Sequence, residues 1–414
     1  MTAATSISTW PPAIRALAHR NFRLYFAGQA VSILGSWIQQ VALSWLVYRL
    51  TGSAALLGVT AFCGLIPQLL VGPLAGAWID KQDKRRWLML TQALMGVQAL
   101  VLAALTWTDH VTPAFLVVMA LLLGVLTSFD TPLRQSLIGP FVGSKADLPN
   151  ALALNAMLFN SGRFIGPPLA GLLLSVVSEA ACFALNGVSF LALIAGIALV
   201  RGVEPPRAQG SMGQVLREGL GYAWRHWTVR TLILTLMAVN LTASSYAVLL
   251  PVFARDVFHG DATTLGWLWG AAGCGAFGST VLLAHSHGLP KVLGVVLAGV
   301  AVSALALVGF AATVWLPLAL LGMVGVGFGI SACNVGINML LQSLVPEQLR
   351  GRIVSLFTAA RFGFDALGGL LAGVLASRFG AGHTLLAEGL VLLVFGVRLL
   401  GWRARLHDGV PHAV

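Results

Sequence analysis

The stretch Gly76-Ala77-Trp78-Ile79-Asp80-Lys81-Gln82-Asp83-Lys84-Arg85-Arg86 passes from an apolar helix to a cluster of cations without a long loop between. A glycine on the last turn of an apolar helix lets a neighbouring helix approach closely. The acid at Asp80 then faces Lys81, Lys84, Arg85 and Arg86. Apolar runs flank it on both sides, residues 54–79 and 87–107, each able to cross a hydrocarbon core of about 30 Å as a helix. The stretch therefore reads as a short, basic connection between two membrane spans, and such connections stay on the inner face.

Its surroundings agree. The chain has 414 residues, of which 57% are hydrophobic and only 9% charged, against about a quarter charged in a soluble protein. A water-facing shell needs far more charge than this, so a soluble globule, a disordered chain, a collagen and a coiled coil are excluded. The long apolar runs exclude a porin-like barrel, whose strands alternate over about ten residues. Twelve spans are predicted, at residues 22–48, 54–79, 87–107, 114–137, 152–177, 182–200, 231–253, 265–284, 292–312, 316–341, 354–376 and 385–400. The expected fold class is an all-α polytopic membrane protein of twelve transmembrane helices in two pseudo-symmetric six-helix bundles.

The net charge of +11 would point to nucleic acid in a soluble chain. Here the positions of the 25 cations give a different meaning. With both termini inside, Arg49, Arg255 and Arg378 fall outside, Arg163 and Arg361 fall within helices, and all the others sit on the inner side. That asymmetry sets membrane orientation, and no nucleic-acid partner is expected. Residues 1–21 lack the apolar stretch of a signal peptide, so the N-terminus is expected to be retained. A multi-pass protein of a bacterial-type inner membrane, with both termini cytoplasmic, is the expected setting.

The one long polar connection, 201–230, opens with Glu204-Pro205-Pro206 and continues into an interfacial helix at 215–227. It divides an N-terminal six-helix bundle, 1–200, from a C-terminal one, 231–414. The halves echo each other. Arg134-Gln135-Ser136-Leu137 recurs as Leu341-Gln342-Ser343-Leu344, and Gly166 and Gly171 recur as Gly368 and Gly373, 202 residues on. Related halves of this kind place a substrate site near the bilayer midplane between them.

The basic loop resembles the signature loop of the major facilitator superfamily, with Asp83 where a second glycine is usual. The resemblance implies a cytoplasmic gate built from Gly76, Asp80, Lys84, Arg85, Asp130 and Arg134. In it Asp80 latches the halves, and Lys84 pairs with an acid near the end of the fourth span, here Asp130. The fifth span carries Gly162-Arg163-Phe164-Ile165-Gly166-Pro167-Pro168-Leu169-Ala170-Gly171, which resembles the superfamily motif associated with exporters. Glycines four apart give a flat packing face, and prolines remove backbone donors and bend the helix. Gly162, Gly166, Pro167 and Gly171 are its candidate residues. Asn21-Phe22-Arg23-Leu24, Thr51-Gly52-Ser53, Pro132-Leu133-Arg134-Gln135, Asp147-Leu148-Pro149-Asn150-Ala151 and Pro346-Glu347-Gln348-Leu349-Arg350-Gly351-Arg352 extend the likeness over nearly the whole chain. They resemble the macrolide-efflux and enterobactin-exporter branch. That branch implies alternating access and proton-driven export, and leaves the substrate open.

Ionisable side chains inside a bilayer are costly, about 2.5–3.5 kcal/mol each on insertion scales, so each is a functional candidate. Asp365 lies mid-way along the eleventh span, Arg361 precedes it by four residues on the same face, and Arg163 is its counterpart across the 202-residue offset. These three are the candidate proton-coupling residues. The opposing reading is a permanent Arg361–Asp365 ion pair. Glu388 reads as an interfacial carboxylate near the outer end of the last span. The first, fourth, seventh and tenth spans should line the cavity in this fold, which nominates Trp37, Gln39, Gln40, Asn240, Tyr246, Asn334 and Asn338. Amides and aromatics in an apolar wall suit an amphipathic organic ligand, while any one amide serves equally as an interhelical hydrogen bond.

Other motifs are missing or idle. The chain has no GxxxxGK[ST] phosphate loop, so no ATP motor of its own is expected. Gly325-Val326-Gly327-Phe328-Gly329 lies within an apolar span and reads as helix packing. Cys63, Cys182, Cys274 and Cys333 lack metal or disulfide spacing, and His285 with His287 reads as a solvated turn rather than a metal site. No enzyme activity, metal or organic cofactor is expected, only a proton gradient. The expected function is proton-coupled export of amphipathic small molecules, of drug or siderophore type, by a monomer in a lipid bilayer. A lipid or lysolipid translocase of the same fold is the alternative, and a non-transporting membrane sensor a remote one.

Overall fold

A computed structural model describes residues 11–79, 82–200, 221–286 and 288–409. The described secondary structure is helical throughout. A 3-10 turn, Pro12–Ala18, leads into α1 (Arg20–Thr51), followed by α2 (Ala54–Leu70), α3 (Gly72–Ile79), α4 (Lys84–Trp107), α5 (Pro113–Val142), α6 (Leu148–Leu174) and α7 (Glu179–Ala198). After the polar connection come α8 (Trp227–Thr242), α9 (Tyr246–Val252), α10 (Ala262–Ala284), α11 (Leu289–Ala312), α12 (Leu316–Leu344), α13 (Glu347–Phe379), α14 (Ala381–Gly401) and the short α15 (Arg403–Asp408). Of the expected interfacial helix, 215–220 lies outside the described residues, and 221–225 are helical.

Polar residues at the helix starts satisfy backbone N–H groups that have no partner within the helix. Ser53 accepts from the Leu56 amide, Thr112 from Phe115, Ser178 from Ala181 and Asp261 from Thr263 and Thr264. Gly52, Gly143 and Gly380 close α1, α5 and α13 with positive φ of 59°, 68° and 85°, where a side chain would be strained.

Among the described residues, ten helices are long and apolar enough to cross a membrane, with Trp227–Val257 counted as one. The second and fifth predicted spans fall outside that set for local reasons. The second is split into α2 and α3 at Val71, between Pro67 and Pro73, because prolines supply no backbone donor. The fifth, α6, is diluted by Asn150, Asn155, Asn160, Arg163 and its Gly-Pro pair. The seventh is also interrupted. A 3-10 turn at Ala243–Ser245 separates α8 from α9, and a π-helical turn, Phe253–Val257, follows α9.

The described spans before the polar connection pack on one another, as do those after it, and each set is one group. In the first, α1 packs on α6 and α7, α4 on α5 and α7, and α2 on α5. In the second, α12 packs on α10 and α11, α14 on α11, and α8 on α13. Two seams join the groups, α2 against α13 and α6 against α10. Lipid tails are as apolar as leucine, so close van der Waals contact must hold such seams.

Candidate transport site

Each seam is lined by glycine. On α6, a Cβ at Gly162 would stand 2.3 Å from Ile33 Cγ2, and one at Gly166 2.5 Å from Trp37 Cβ. This face of the exporter-like motif packs on α1, within its own group. The Gly171 end faces the other group, where a Cβ would meet Gly266 Cα at 2.9 Å. Further along α10, a Cβ at Gly270 would strike the Pro168 ring at 2.4 Å, and one at Gly273 the Phe164 Cα at 2.8 Å. The second seam repeats the device, with a Cβ at Gly373 2.8 Å from Gly58 Cα. The motif thus serves two contacts at once, on α1 and on α10.

The central charges stand between the seams. Arg163 on α6 and Arg361 and Asp365 on α13 lie far from their helix ends and are half-buried. Arg361 interacts electrostatically with Arg163 and Asp365, and Asp365 with both arginines. Tyr246, the first residue of α9, is buried beside Arg163, which acts on its hydroxyl, and in the field of Asp365. No described ion pair within 4.0 Å includes Asp365. Arg361 is nevertheless the charge that acts most strongly on Asp365. Arg361 also lies 5.3 Å from the ring centroid of its neighbour Phe362.

The nominated cavity residues separate by environment. Trp37 is half-buried over Gly166 and meets Trp269 of α10 edge-on at 6.0 Å, and Trp269 in turn lies 5.8 Å from Tyr246. An aromatic set thus bridges the groups. Gln39 is buried in a network with Gln98 at 3.2 Å and Asn186 at 2.7 Å, which ties α1 to α4 and α7. Gln40, beside it, is exposed. Asn240 donates to Asn334 at 3.1 Å and to the Leu236 carbonyl, joining α8 to α12. Asn338 accepts from Gln342 one turn later.

At the basic end, Gly76 sits on the short α3, which packs on α5. Trp78 meets Phe129 edge-on at 5.9 Å and Trp87 at 4.4 Å. Asp80 and Lys81 lie outside the described residues. Asp83 caps α4 by accepting from the amides of Arg85 and Arg86, which is the local role of the acid found where the superfamily pattern has glycine. Lys84 is buried. Arg85 donates to the Ile197 and Ala198 carbonyls at 3.1 and 2.8 Å, capping the C-terminal end of α7. Asp130 and Arg134 form a buried ion pair of 2.5 Å. Gln92 of α4 donates to the same carboxylate, a partner that helix spacing along α5 could not reveal. The Asp147–Asn150 segment clamps the N-terminal turn: Asp147 pairs with Arg15 and His19, and Asn150 bonds the Ala13 and Ala16 backbone.

At the opposite end, a latch unforeseen in the sequence crosses the groups. Tyr48 of α1 donates to Asp256, and Arg255 donates to the Tyr48 carbonyl while standing 5.8 Å over its ring. Arg255 and Asp256 both belong to the π-helical turn, a distortion frequent at functional sites. Arg49 pairs with Glu179 nearby at 2.7 Å.

A family model described as transmembrane secretion effector, MFS_3, matches residues 7–410. The chain belongs to this family. It is a family of transporters within the major facilitator superfamily, not of enzymes. Among its curated relatives is the staphyloferrin A transporter of Staphylococcus aureus, 27% identical over 376 residues, covering 87% of this chain and 91% of the relative. The multidrug efflux pump Tap of Mycolicibacterium fortuitum is 29% identical over 378 residues, covering 88% and 91%. Among solved structures, a bacterial homologue of the human lysosomal transporter Spinster, inward-facing and unoccupied, aligns with TM-score 0.73 at 14% identity, covering 95% of this chain and 99% of that one. That likeness shows the major facilitator fold. The family member described here has its Gly-lined seams, central charges and two-ended contacts on that frame.

Proposed function

We propose that this transmembrane secretion effector exports amphipathic small organic molecules, of drug or siderophore type, by proton-coupled alternating access. The observation that carries the proposal is the central trio. Arg163 and the Arg361–Asp365 helix face come from opposite groups, and the carboxylate is held in the field of two arginines. A carboxylate in that position changes its proton affinity when its exposure or its distance to the arginines changes, which is the requirement for coupling. The names of the relatives, a siderophore transporter and a multidrug pump, support this substrate class.

The units of the cycle are 1–200 and 231–414, rocking about the glycine seams with 201–230 as connection. The basic end faces the cytoplasm of a bacterial plasma membrane, and the chain works as a monomer. The latch at Tyr48, Arg255 and Asp256 is then the outer gate, closed in an inward-facing state. Gly76, Asp80, Lys84, Arg85, Asp130 and Arg134 belong to the inner gate, where Asp130–Arg134 and Arg85 brace the first bundle. Gly162, Gly166, Pro167 and Gly171 form the sliding face. Trp37, Tyr246, Gln40 and Asn338 contact substrate, while Gln39, Asn240 and Asn334 hold the walls.

The test uses inverted vesicles loaded with the full-length protein and an imposed pH gradient, with a radiolabelled macrolide and staphyloferrin A as probes. Gradient-driven uptake that is lost in Asp365→Asn, with binding retained, is the expected result. Wild-type uptake by Asp365→Asn would overturn the coupling role.

Lipid translocation is the second reading. It draws on an apolar cavity of about 300 Å³ lined by Leu69, Met237, Leu356, Gly363, Phe364 and Leu367, with Arg230 and Trp224 also on its wall. Flipping of labelled lipid with no uptake of either probe would favour it.

A further inference from the structure

Glu388 is the eighth residue of α14 and is half-buried. Its partner is Ser245, fully buried in the 3-10 turn that interrupts the seventh span. The Ser245 hydroxyl reaches two oxygens, one of the Glu388 carboxyl and one the Thr242 carbonyl. A serine hydroxyl has one proton to give. Both Glu388 oxygens and the Thr242 oxygen are pure acceptors if the carboxyl is ionised. One of the two contacts would then join two oxygens with no proton between them, a repulsive arrangement. Both contacts are satisfied when Ser245 donates to Thr242 and a protonated Glu388 donates to Ser245.

Among the described residues, no cation neutralises Glu388. Of the elements packed on α14, the 3-10 turn presents Ser245, and no charged group of α8, α9, α11, α13 or α15 acts on the carboxyl. Arg230, Lys291, Arg378, Arg398, Arg403 and Arg405 lie towards helix ends, His383 is exposed near the start of α14, and Arg361, Asp365 and Tyr246 form the central cluster. An ionised carboxylate there would be without a counter-charge, a costly state at membrane depth.

We propose that Glu388 is a second proton-binding site of this protein, distinct from Asp365, and that its proton sets the hydrogen bonding of the break in the seventh span. With the proton bound, Glu388 donates to Ser245 and Ser245 to Thr242. When the proton leaves to water, the Ser245 hydroxyl turns to the carboxylate and the Thr242 carbonyl loses its donor. The 3-10 turn between α8 and α9 then loses a tie at the point where a span is already weakest, which is where hinges form. The site stands independently of the role given to Asp365.

Infrared difference spectroscopy on the purified full-length protein tests it through the C=O stretch of protonated carboxyl groups at neutral pH. The spectra are taken in Asp365→Asn as well as wild type, so that the two sites are read separately. Glu388→Gln, which keeps a neutral donor towards Ser245, is expected to lose one carboxyl's amplitude in both backgrounds. Ser245→Ala is expected to move the band to higher frequency, because the acid loses its acceptor, and Ser245→Thr to restore the wild-type position. Superposable spectra of wild type and Glu388→Gln at neutral pH would show an ionised Glu388 and overturn the proposal. If Glu388→Gln fails to fold, the Ser245→Ala shift reads the same bond, and its absence overturns the link to the break.

Discussion

Gly171 and Gly266 lie so close that a Cβ built on either would stand 2.9 Å from the other's Cα. Their counterparts in the other seam, Gly58 and Gly373, repeat the contact, at 3.1 and 2.8 Å. Both pairs lie at the end opposite the basic loop, one on each side of the Tyr48–Asp256 latch. Backbone meets backbone there, and nothing flexible can give way. Gly171→Ala and Gly266→Ala are each expected to lower stability by about 1–3 kcal/mol through overpacking, and the double variant to fall short of the sum, because the two share one contact. Gly278, with open space where its Cβ would be, is the control, and Gly278→Ala should be close to neutral. Thermal unfolding in detergent reads all of these.

The Tyr48–Asp256 bond makes a prediction about conformational balance. Tyr48→Phe and Asp256→Asn each remove a charge-assisted bond between the groups, worth about 1.5–3 kcal/mol. Each should populate the state open at that end about tenfold or more, and the two together should do little beyond either alone. Pulsed electron spin resonance distances between labels at that end measure the shift. Unchanged distances in both variants would show that the glycine seams alone hold the end closed.

Asp130 and Arg134 are both buried, with Gln92 completing the carboxylate's bonds. Removing one charge leaves the other uncompensated, which costs about 3–5 kcal/mol. Asp130→Asn should therefore destabilise strongly, and the double variant Asp130→Asn/Arg134→Gln should recover most of the loss. Unfolding midpoints of the three variants decide this, with full additivity as the contrary result.

Asp147 gives the pH dependence. The hydrogen bond from His19, aided by that from Arg15 and by the Arg15 charge, holds its carboxyl below the usual carboxylate range, against partial burial that acts the other way. A carboxyl depressed on folding contributes stability above its unfolded value, near pH 4, and loses that contribution as the pH falls through the folded value. Protection of the N-terminal turn from proteolysis should therefore decline on acidification below about pH 4. In Asp147→Asn the protection should be weaker throughout and flat over that range.

Much of the fold was legible because a membrane simplifies the reading. The ~30 Å core demands long apolar helices, and the distribution of Lys and Arg orders the ends. Gly171 and Gly373 announced close packing by their recurrence, and Asp365, Arg361 and Arg163 stood out because charge is scarce in the spans. Partners across helices were not legible. Gln39 and Asn240 looked like cavity residues, and rotation of their helices turns them into interhelical ties. Glu388 reads as an interfacial carboxylate from the sequence, and its contact with Ser245 at the break over Ala243–Ser245 has no signal along the chain. Arg255 was visible only as an outer cation, while the π-helical turn that aims it and Asp256 at Tyr48 has no sequence period to betray it.

The sequence by itself determined the solvent and the all-helical fold class, because those depend on hydropathy and its period along one chain. Only the tertiary structure decided which glycine meets which, that Arg163 of the first group shares the field of Arg361 and Asp365, and that Ser245 joins Glu388 to the seventh span. Those outcomes depend on the rotation of each helix about its axis, and a rotation is set by the neighbours it packs against rather than by the helix alone.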